Sequence, residues 1–292
     1  MVRREPVELS IIIPARDAGT VLGEQLDALA AQRWEAPWEV VVAVDRGSTD
    51  GTADVVHRRA GGGPPMRVVD VPAGAGPGAA RNTGAEAASG VALAFCDADD
   101  VVADGWVAAI GEALRQHDFV TGPLELDRLN PAWIVESRGR SFADRRPLFE
   151  GIMPYASSCN LGLRRALFEL AGGFDPTWRV GEDLELSLRL WLAGTEVHFE
   201  PKAVVHYRYR PTLGSTYRQA RSYGRVRPVL AERLRGAGRP APNRTAGLRN
   251  WGWLVRHLPL LRDPAGRARW LWVAGQRVGN LEGSFRVRRL YL

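Results

Sequence analysis

An apolar run, "ALAFC", breaks off after residue 96 into Asp97, Asp99 and Asp100, three carboxylates within four residues. Like charges this close raise one another's pKa, so the cluster needs compensation. A divalent cation supplies it: hard oxygen donors suit Mg²⁺ or Mn²⁺, which complete their shells with water and phosphate oxygens. In extended backbone Asp97 and Asp99 point to one side and Asp100 to the other, giving an Asp-x-Asp pair. The competing reading makes the same acids the start of a helix over "DGWVAAIGEAL". A second acidic pair, Glu182-Asp183, opens another helical pattern. There the positive end of the helix dipole favours the ionised carboxylate that a general base requires, although ordinary N-terminal charge would look the same.

Elements that could position these groups alternate along the first 125 residues. "ELSIII" (8–13), "WEVVVAV" (38–44), "MRVVDV" (66–71) and "VALAFC" (91–96) read as strands. They are continuously apolar, as strands covered on both faces must be. Leu22, Leu26 and Leu29 mark one face of a helix, and "TADVVHRRA" and "GAARNTGAEAA" read as two more. Strands alternating with helices predict an α/β fold with a mostly parallel central sheet. Ligands bind such sheets beyond the carboxyl ends of the strands. "PARD", "DRGSTDG", "AGAGPGAARN" and "DADD" follow the four strands in turn, so four polar clusters converge on one place. That convergence favours a cation and a phosphate over helix capping. The glycine-rich third cluster lacks the spacing of a dinucleotide fingerprint and reads as a turn feeding a helix. Farther on come a strand at "SSCNLGL", a helix from Arg164, a loop "GGFDPTWRVG", a helix "EDLELSLRLWLAG" and a strand "EVHFEPKAVVHY".

The net charge of +6 conceals a division. Residues 201–292 carry 20 Lys+Arg against Glu232, Asp263 and Glu282, a net of +17, which leaves −11 for residues 1–200. We place a boundary near 210, with a catalytic domain over 1–210 and a basic, Trp/Arg-rich helical segment over 211–292. Tryptophans interleaved with arginines in "NWGWLVRHLPLLR" and "RWLWVAGQRVGNL" suit an anionic membrane surface better than a nucleic-acid groove. The alternative is a tail packed on its own domain. Two cysteines, Cys96 and Cys159, show no zinc-site spacing and read as free thiols. "MVRREPVELS" has no apolar stretch behind its charges, and nowhere do about 18 apolar residues run together. The expected location is the cytoplasm, peripheral on the inner face of the membrane.

"SIIIPARDAGTVLGEQLDAL", "VVVAVDRGSTDGTADVV", "GPGAARNTGAEAASGVALAFCDADD" and "GGFDPTWRVGEDLELSLRLWLAG" resemble, in order and spacing, the family 2 glycosyltransferases of the GT-A fold, over about residues 7–210. The resemblance implies inverting transfer of a sugar from a nucleotide-diphosphate sugar to an acceptor hydroxyl, with Mn²⁺ or Mg²⁺. It places Pro14, Arg16 and Asp45 around the nucleoside and Arg81 near the diphosphate. Asp99 becomes the direct metal ligand, Asp97 lies beside it near the ribose, and His206 is a further metal ligand. Asp183 becomes the catalytic base. The chain departs from the family at Arg46, where many members have an acid, and at Arg16 and Asp17, where an aromatic-Asn pair is common. These departures remove the usual grounds for assigning uridine. Acceptor recognition is expected in 124–156 and in the basic segment, with a cell-envelope glycan, a glycolipid or another lipid-linked molecule as the expected acceptor.

Two rival readings compete, the first of them on the same acidic residues. "FCDADDV" fits the nucleophile motif of haloacid-dehalogenase-type phosphatases, but that chemistry wants a downstream lysine and a further acidic cluster. Lys202 is the only lysine and no acidic pair follows it. A non-enzymatic polyanion-binding protein needs little beyond the basic segment, and leaves the converging strand ends without a purpose.

Overall fold

The computed structural model of the chain describes residues 7–139, 145–245 and 247–292. It divides into two compact units. One comprises Met1–Leu126, Ser141–Phe149 and Met153–Arg208, the other Asp127–Arg140, Glu150–Ile152 and Tyr209–Leu292. A single cut near 210 therefore misses two earlier segments that pack with the C-terminal unit. Residues 140–144, within the stretch expected to meet the acceptor, lie outside the described residues, as does the start of the N-terminal decapeptide.

The first unit opens with β1 (Leu9–Ala15), α1 (Leu22–Ala30), β2 (Trp38–Asp45), α2 (Thr52–Arg59), β3 (Met66–Val71), α3 (Pro77–Ala87) and β4 (Ala92–Phe95). All four strands pair in parallel, in the order β4-β1-β2-β3. Leu9, Ile11, Ile12 and Ile13 of β1 are fully buried, as are Val40 to Ala43 of β2. Each of these Leu, Ile and Val side chains contributes on the order of 1.5–3 kcal/mol by leaving water. Gly84 lets α3 lie directly on this sheet, because a Cβ there would stand 2.5 Å from Ile12 Cγ2.

The chain continues through β5 (Val101–Val102), α4 (Trp106–Gln116), β6 (Phe119–Thr121) and β7 (Leu124–Glu125). After α5 (Ala132–Arg138) of the second unit come the hairpin β8 (Leu148–Phe149) and β9 (Met153–Pro154), then β10 (Leu161–Arg164), α6 (Arg165–Leu170), α7 (Glu182–Leu192), β11 (His198–Phe199) and β12 (Val205–His206). The central sheet has the order β11-β6-β10-β4-β1-β2-β3, with β10 antiparallel to both neighbours. Two expectations need correction. The strand at "SSCNLGL" begins only at Leu161, because Ser157–Asn160 form a turn closed by Asn160 N donating to Ser157 O at 2.8 Å. The strand at 196–207 is two: β11 extends the central sheet, while β12 lies between β5 and β7 in a separate sheet. A turn closed by Ala203 N donating to Glu200 O at 3.1 Å breaks the run.

In the second unit, α8 (Leu213–Gly236) and α10 (Pro264–Val287) are joined by α9 (Leu248–Arg256) and a 3-10 turn (Leu258–Arg262). The two long helices run parallel, backbone against backbone. A Cβ on Gly275, Gly279 or Gly283 would meet the carbonyls of Tyr217, Arg221 and Arg225 at 2.7, 2.0 and 2.5 Å. Glycines at every fourth position thus make one flat stripe. Between these helices Arg227 grips Glu150 through two bonds of 2.6 and 3.0 Å. Asn280, oriented so that its nitrogen donates to Gly224 O, accepts from both Arg227 and Arg277 at 3.1 Å. Burial, and then the like charge of Arg227, pushes Arg277 down to about 10. Among the described residues no helix is long and apolar enough to cross a membrane.

Candidate active site

The loops after the parallel strands are stitched to one another. After β1, Asp17 adopts a left-handed backbone (φ 46°). Its Oδ1 accepts from Thr49 N at 3.0 Å and its own N–H donates to Ser48 Oγ at 3.2 Å. Gly19 N donates to Asp50 Oδ2 at 2.6 Å, so the first and second loops form one rim. Asp45, buried at the end of β2, accepts from Gly47 N at 2.8 Å and from Gly74 N at 2.9 Å, bringing in the third loop. Arg16 reaches Asp45 at 3.7 Å from the exposed side, beside the half-buried Pro14. Arg46 pairs with Asp70 at 3.2 Å rather than entering this rim. Pro14, Arg16 and Asp45 are thus brought together.

Arg81 stands differently from a diphosphate clamp. It is 2% exposed, and its terminal nitrogens donate to Asp97 Oδ1 at 2.6 Å and to Glu182 Oε1 at 2.7 Å. Burial opposes its charge, but the two carboxylates more than offset that and raise its pKa. Its Nε is buried without a partner, and the guanidinium lies 5.6 Å from the Phe174 ring centre. Phe174 is held in turn. Asn82 Nδ2 donates to its carbonyl at 2.8 Å, its N–H donates to Asn82 Oδ1 at 2.9 Å, and its ring meets Phe95 edge-on at 5.2 Å. Arg81 therefore ties the fourth strand end to the start of α7.

The acidic segment after β4 is a turn, not extended strand, so the expected split of Asp97 and Asp99 from Asp100 does not hold. Asp97 faces Arg81. Asp100 is buried and accepts from Arg208 N at 2.7 Å, while Asp99 O accepts from Arg208 Nε at 2.8 Å. Ligand atoms of Asp97, Asp100 and Cys159 lie within 4.8 Å of one another. Burial, then the charges of Asp100 and Asp97, pushes the Cys159 thiol well up. The protonated thiol is a poor ligand, so the usable donors are carboxylate oxygens, which fit Mg²⁺ or Mn²⁺. Asp99, expected as the direct metal ligand, is not part of this group, and neither is His206. It lies opposite Val101 in the β12–β5 ladder, next in the chain to Asp100, with Nδ1 2.6 Å from Glu125 Oε2. A carboxylate on one ring nitrogen leaves the other for a metal or a hydrogen bond.

Gly181, left-handed at φ 76°, starts α7 and separates the two acids that follow. Glu182 turns inward to Arg81, its side chain 7% exposed. Asp183 stays partly exposed and accepts from two backbone N–H groups, Ser158 at 3.1 Å and Leu184 at 2.8 Å. Burial, and then the charge of Glu182, pushes its carboxyl up to about 6. A carboxylate with that pKa is ionised at neutral pH and more basic than a free aspartate.

Several participants escape sequence reading. Arg179 donates to Gly74 O at 2.5 Å from the loop before α7. Arg189 pairs with Glu185 at 2.8 Å and donates to Gly173 O at 2.7 Å, holding the same loop from below. Glu125, Arg208 and Cys159 complete the surroundings of the acidic turn. Only the i, i+4 spacing of Glu185 and Arg189 is visible in the sequence.

Residues 10–170 match the family described as Glycosyl transferase family 2, and residues 93–281 match Glycosyl transferase family group 2. The chain is 27% identical over 260 residues to the pre-mycofactocin glycosyltransferase of Mycobacterium tuberculosis. The match covers 85% of this chain and 52% of that one, so the chain spans about half the length of that relative. It is 30% identical over 186 residues to the PGL/p-HBAD biosynthesis glycosyltransferase of Mycobacterium bovis, covering 62% of this chain and 68% of the relative. Among solved structures, the mannosyltransferase PcManGT from Pyrobaculum calidifontis, in complex with GDP-Man and Mn²⁺, superposes with a TM-score of 0.65 at 19% identity, covering 96% and 90% of the two chains. S. aureus TarS in complex with UDP-GlcNAc gives 0.58 at 19% identity, covering 98% and 93%. At such identity these two likenesses speak to the fold alone.

Proposed function

Because the chain belongs to glycosyltransferase family 2 and has the GT-A fold of its structural neighbours, we propose that it transfers a sugar from a nucleotide-diphosphate sugar to an acceptor hydroxyl with inversion. The observation that carries this reading is the division of labour at the start of α7. Glu182 is consumed by Arg81, whereas Asp183 keeps a partly exposed carboxylate with a raised pKa. Asp183 takes the proton of the attacking hydroxyl, and the helix dipole steadies its charge before the transfer. Arg81 acts as a positioning residue that holds Asp97 and Glu182. Arg16, Asp45 and Pro14 form the nucleoside rim. The carboxylates of the Asp97–Asp100 turn, with His206 beside them, would hold Mn²⁺ or Mg²⁺, which when bound supplies positive charge opposite the departing diphosphate.

The acceptor reading is a cell-envelope glycan or glycolipid, in line with the relative named for PGL/p-HBAD biosynthesis. The basic segment over 211–292 associates with an anionic membrane from the cytoplasmic side.

The test is a thermal-shift screen of UDP-, dTDP- and GDP-sugars with and without Mn²⁺, followed by NMR of the product. A donor that binds the folded state at a hundred times its Kd stabilises by about 2.7 kcal/mol. We expect one nucleotide class to stabilise the protein only with the cation, and the Asp99→Asn variant to lose that response. A product that retains the donor's anomeric configuration overturns the single displacement.

A further inference from the structure

The geometry points to a lipid-docking face on α9 and the 3-10 turn that follows it; this deepens the membrane association proposed above and rests on it. Leu248, Trp251, Val255 and Leu258 recur at spacings of three, four and three, which is one stripe of a helix. On an ordinary surface helix such a stripe turns inward. Here it faces out: Val255 is 72% exposed, Leu248 and Leu258 50% each, and Leu261 continues the stripe at 38%. The inward contact of α9 is made by another residue, Leu254, which is buried and whose carbonyl accepts from Trp270 Nε1 at 2.9 Å. The turn Leu258–Arg262 contains no buried residue at all. This segment is therefore amphipathic with its apolar side toward solvent, while its fixed side is anchored to α10.

Charge decides what covers it. Arg249 and Arg256 on α9, Arg262 at the end of the 3-10 turn, and Arg267 and Arg269 near the start of α10 are all exposed. Across residues 244–269 the one acid is Asp263, whose carboxylate is spent capping α10 by accepting from Gly266 N at 2.7 Å. A second copy docking through this stripe would bring one arginine-rich face against another, since a twofold contact uses the same patch on both copies. A nucleic acid offers phosphate to the arginines but nothing for Val255 and Leu258 to enter. An anionic bilayer satisfies both, with acyl chains for the stripe and headgroups for the arginines. Trp251 within the stripe and Trp253 beside it are partly exposed, and Trp253 stacks on His257 at 4.4 Å with Arg269 5.5 Å from its ring centre. Indole rings with a polar neighbour settle at the level of the headgroups. The segment would lie in the interface plane and not span it.

The experiment is co-sedimentation of the full chain with vesicles of neutral phosphatidylcholine, alone or mixed with phosphatidylglycerol, for the wild type and for Val255→Glu/Leu258→Glu. Both sites are exposed, so the variant keeps the fold, which near-UV circular dichroism checks. Leu170→Glu, 86% exposed on α6 of the other unit, is the control. We expect the wild type and the control to bind the anionic vesicles, with release by salt, and the double variant to bind at least tenfold more weakly. Removing Arg249 and Arg256 together should cost roughly fivefold for each charge on anionic vesicles. Wild-type binding unaltered in the double variant overturns the assignment to α9 while leaving the membrane reading standing. No binding by the wild type overturns both. A wild type that self-associates in light scattering, and a double variant that does not, would make the stripe a protein interface and overturn the lipid face. Donor binding by the same variants, measured by thermal shift, reports on the catalytic reading separately.

Discussion

Arg81 and Glu282 each sit between two groups of opposite charge, and the two arrangements are mirror images. In the first unit one buried arginine serves two carboxylates, Asp97 and Glu182, which lie 85 residues apart in the chain. In the second unit one carboxylate, Glu282 on α10, serves two half-exposed arginines, Arg221 and Arg225 on α8. The first arrangement lies in a net-acidic stretch of the chain, where one buried arginine joins the end of β4 to the start of α7. The second lies in a region with an excess, where a lone acid ties together helices already fixed by their glycine stripe. Burial, not the number of charges, sets what each is worth, because water screens the outer cluster and not the inner one.

The sharpest way to break this comparison is at Asp183, the acid the inner network leaves over. Asp183→Asn should lower turnover by about 10²- to 10⁴-fold, the usual worth of a general base, with donor binding retained. The pH profile sharpens it. The carboxyl titrates at about 6, above its unfolded value of 3.8, so the base form is lost as pH falls through 6. Turnover should drop about tenfold from pH 7 to pH 5. Stability linked to this residue moves the other way: ionised Asp183 costs stability above pH 6, and protonation relieves that cost between 6 and 3.8. A melting temperature for Asp183→Asn at pH 7 no lower than wild type, set against the large kinetic loss, would show both. A variant that loses donor binding instead would move Asp183 to the donor site.

How much of this was legible follows from the range of each interaction. The parallel strands were, because burial on both faces writes continuous apolar runs such as Ile11–Ile13 and Val40–Val42. The helix begun at Glu182 was also readable, since its apolar period is local. The role of Glu182 was not: only the folded chain reveals that its partner is Arg81, and the pair Glu182-Asp183 reads as two equal acids until one is used up. Likewise nothing local signals that "DADD" turns, because Arg208, which holds it, lies over a hundred residues on. The break at 200–203 was missed because apolar residues on both sides make one run of two strands. The parallel pairing of α8 and α10 was not read. Gly275, Gly279 and Gly283 mark a flat stripe, but not the helix it meets.

The second largest effect is expected at Arg81. Arg81→Met removes the charge and keeps much of the volume, leaving Asp97 and Glu182 close together without compensation. Breaking a buried pair in this way costs about 3–5 kcal/mol, which urea denaturation measures directly. A loss below about 1 kcal/mol at pH 7 would mean that water reaches the pair and that the inner network is not distinct from the outer one.

The smallest effect should come from the outer network itself. Hydrogen bonds from Arg221, then from Arg225, hold the Glu282 carboxyl down at about 2, against 4.5 when unpaired. Taken at face value that shift exceeds 3 kcal/mol, but the side chain is 30% exposed and both arginines are more so. Exposed pairs measured by mutation contribute about 0.2–1 kcal/mol, and a three-membered cluster belongs at the upper end. We therefore expect Glu282→Gln to cost about 1 kcal/mol at pH 7. The sign with pH follows from a depressed carboxylate: the contribution is fully present above pH 4.5 and fades as pH falls toward 2. Raising salt to about 1 M should remove most of it, since the Debye length contracts to about 3 Å. The same salt should change the Arg81→Met penalty little, because that pair is shielded by protein. Equal salt sensitivity in the two variants would erase the contrast between the units, and a Glu282 penalty above about 3 kcal/mol would reverse it.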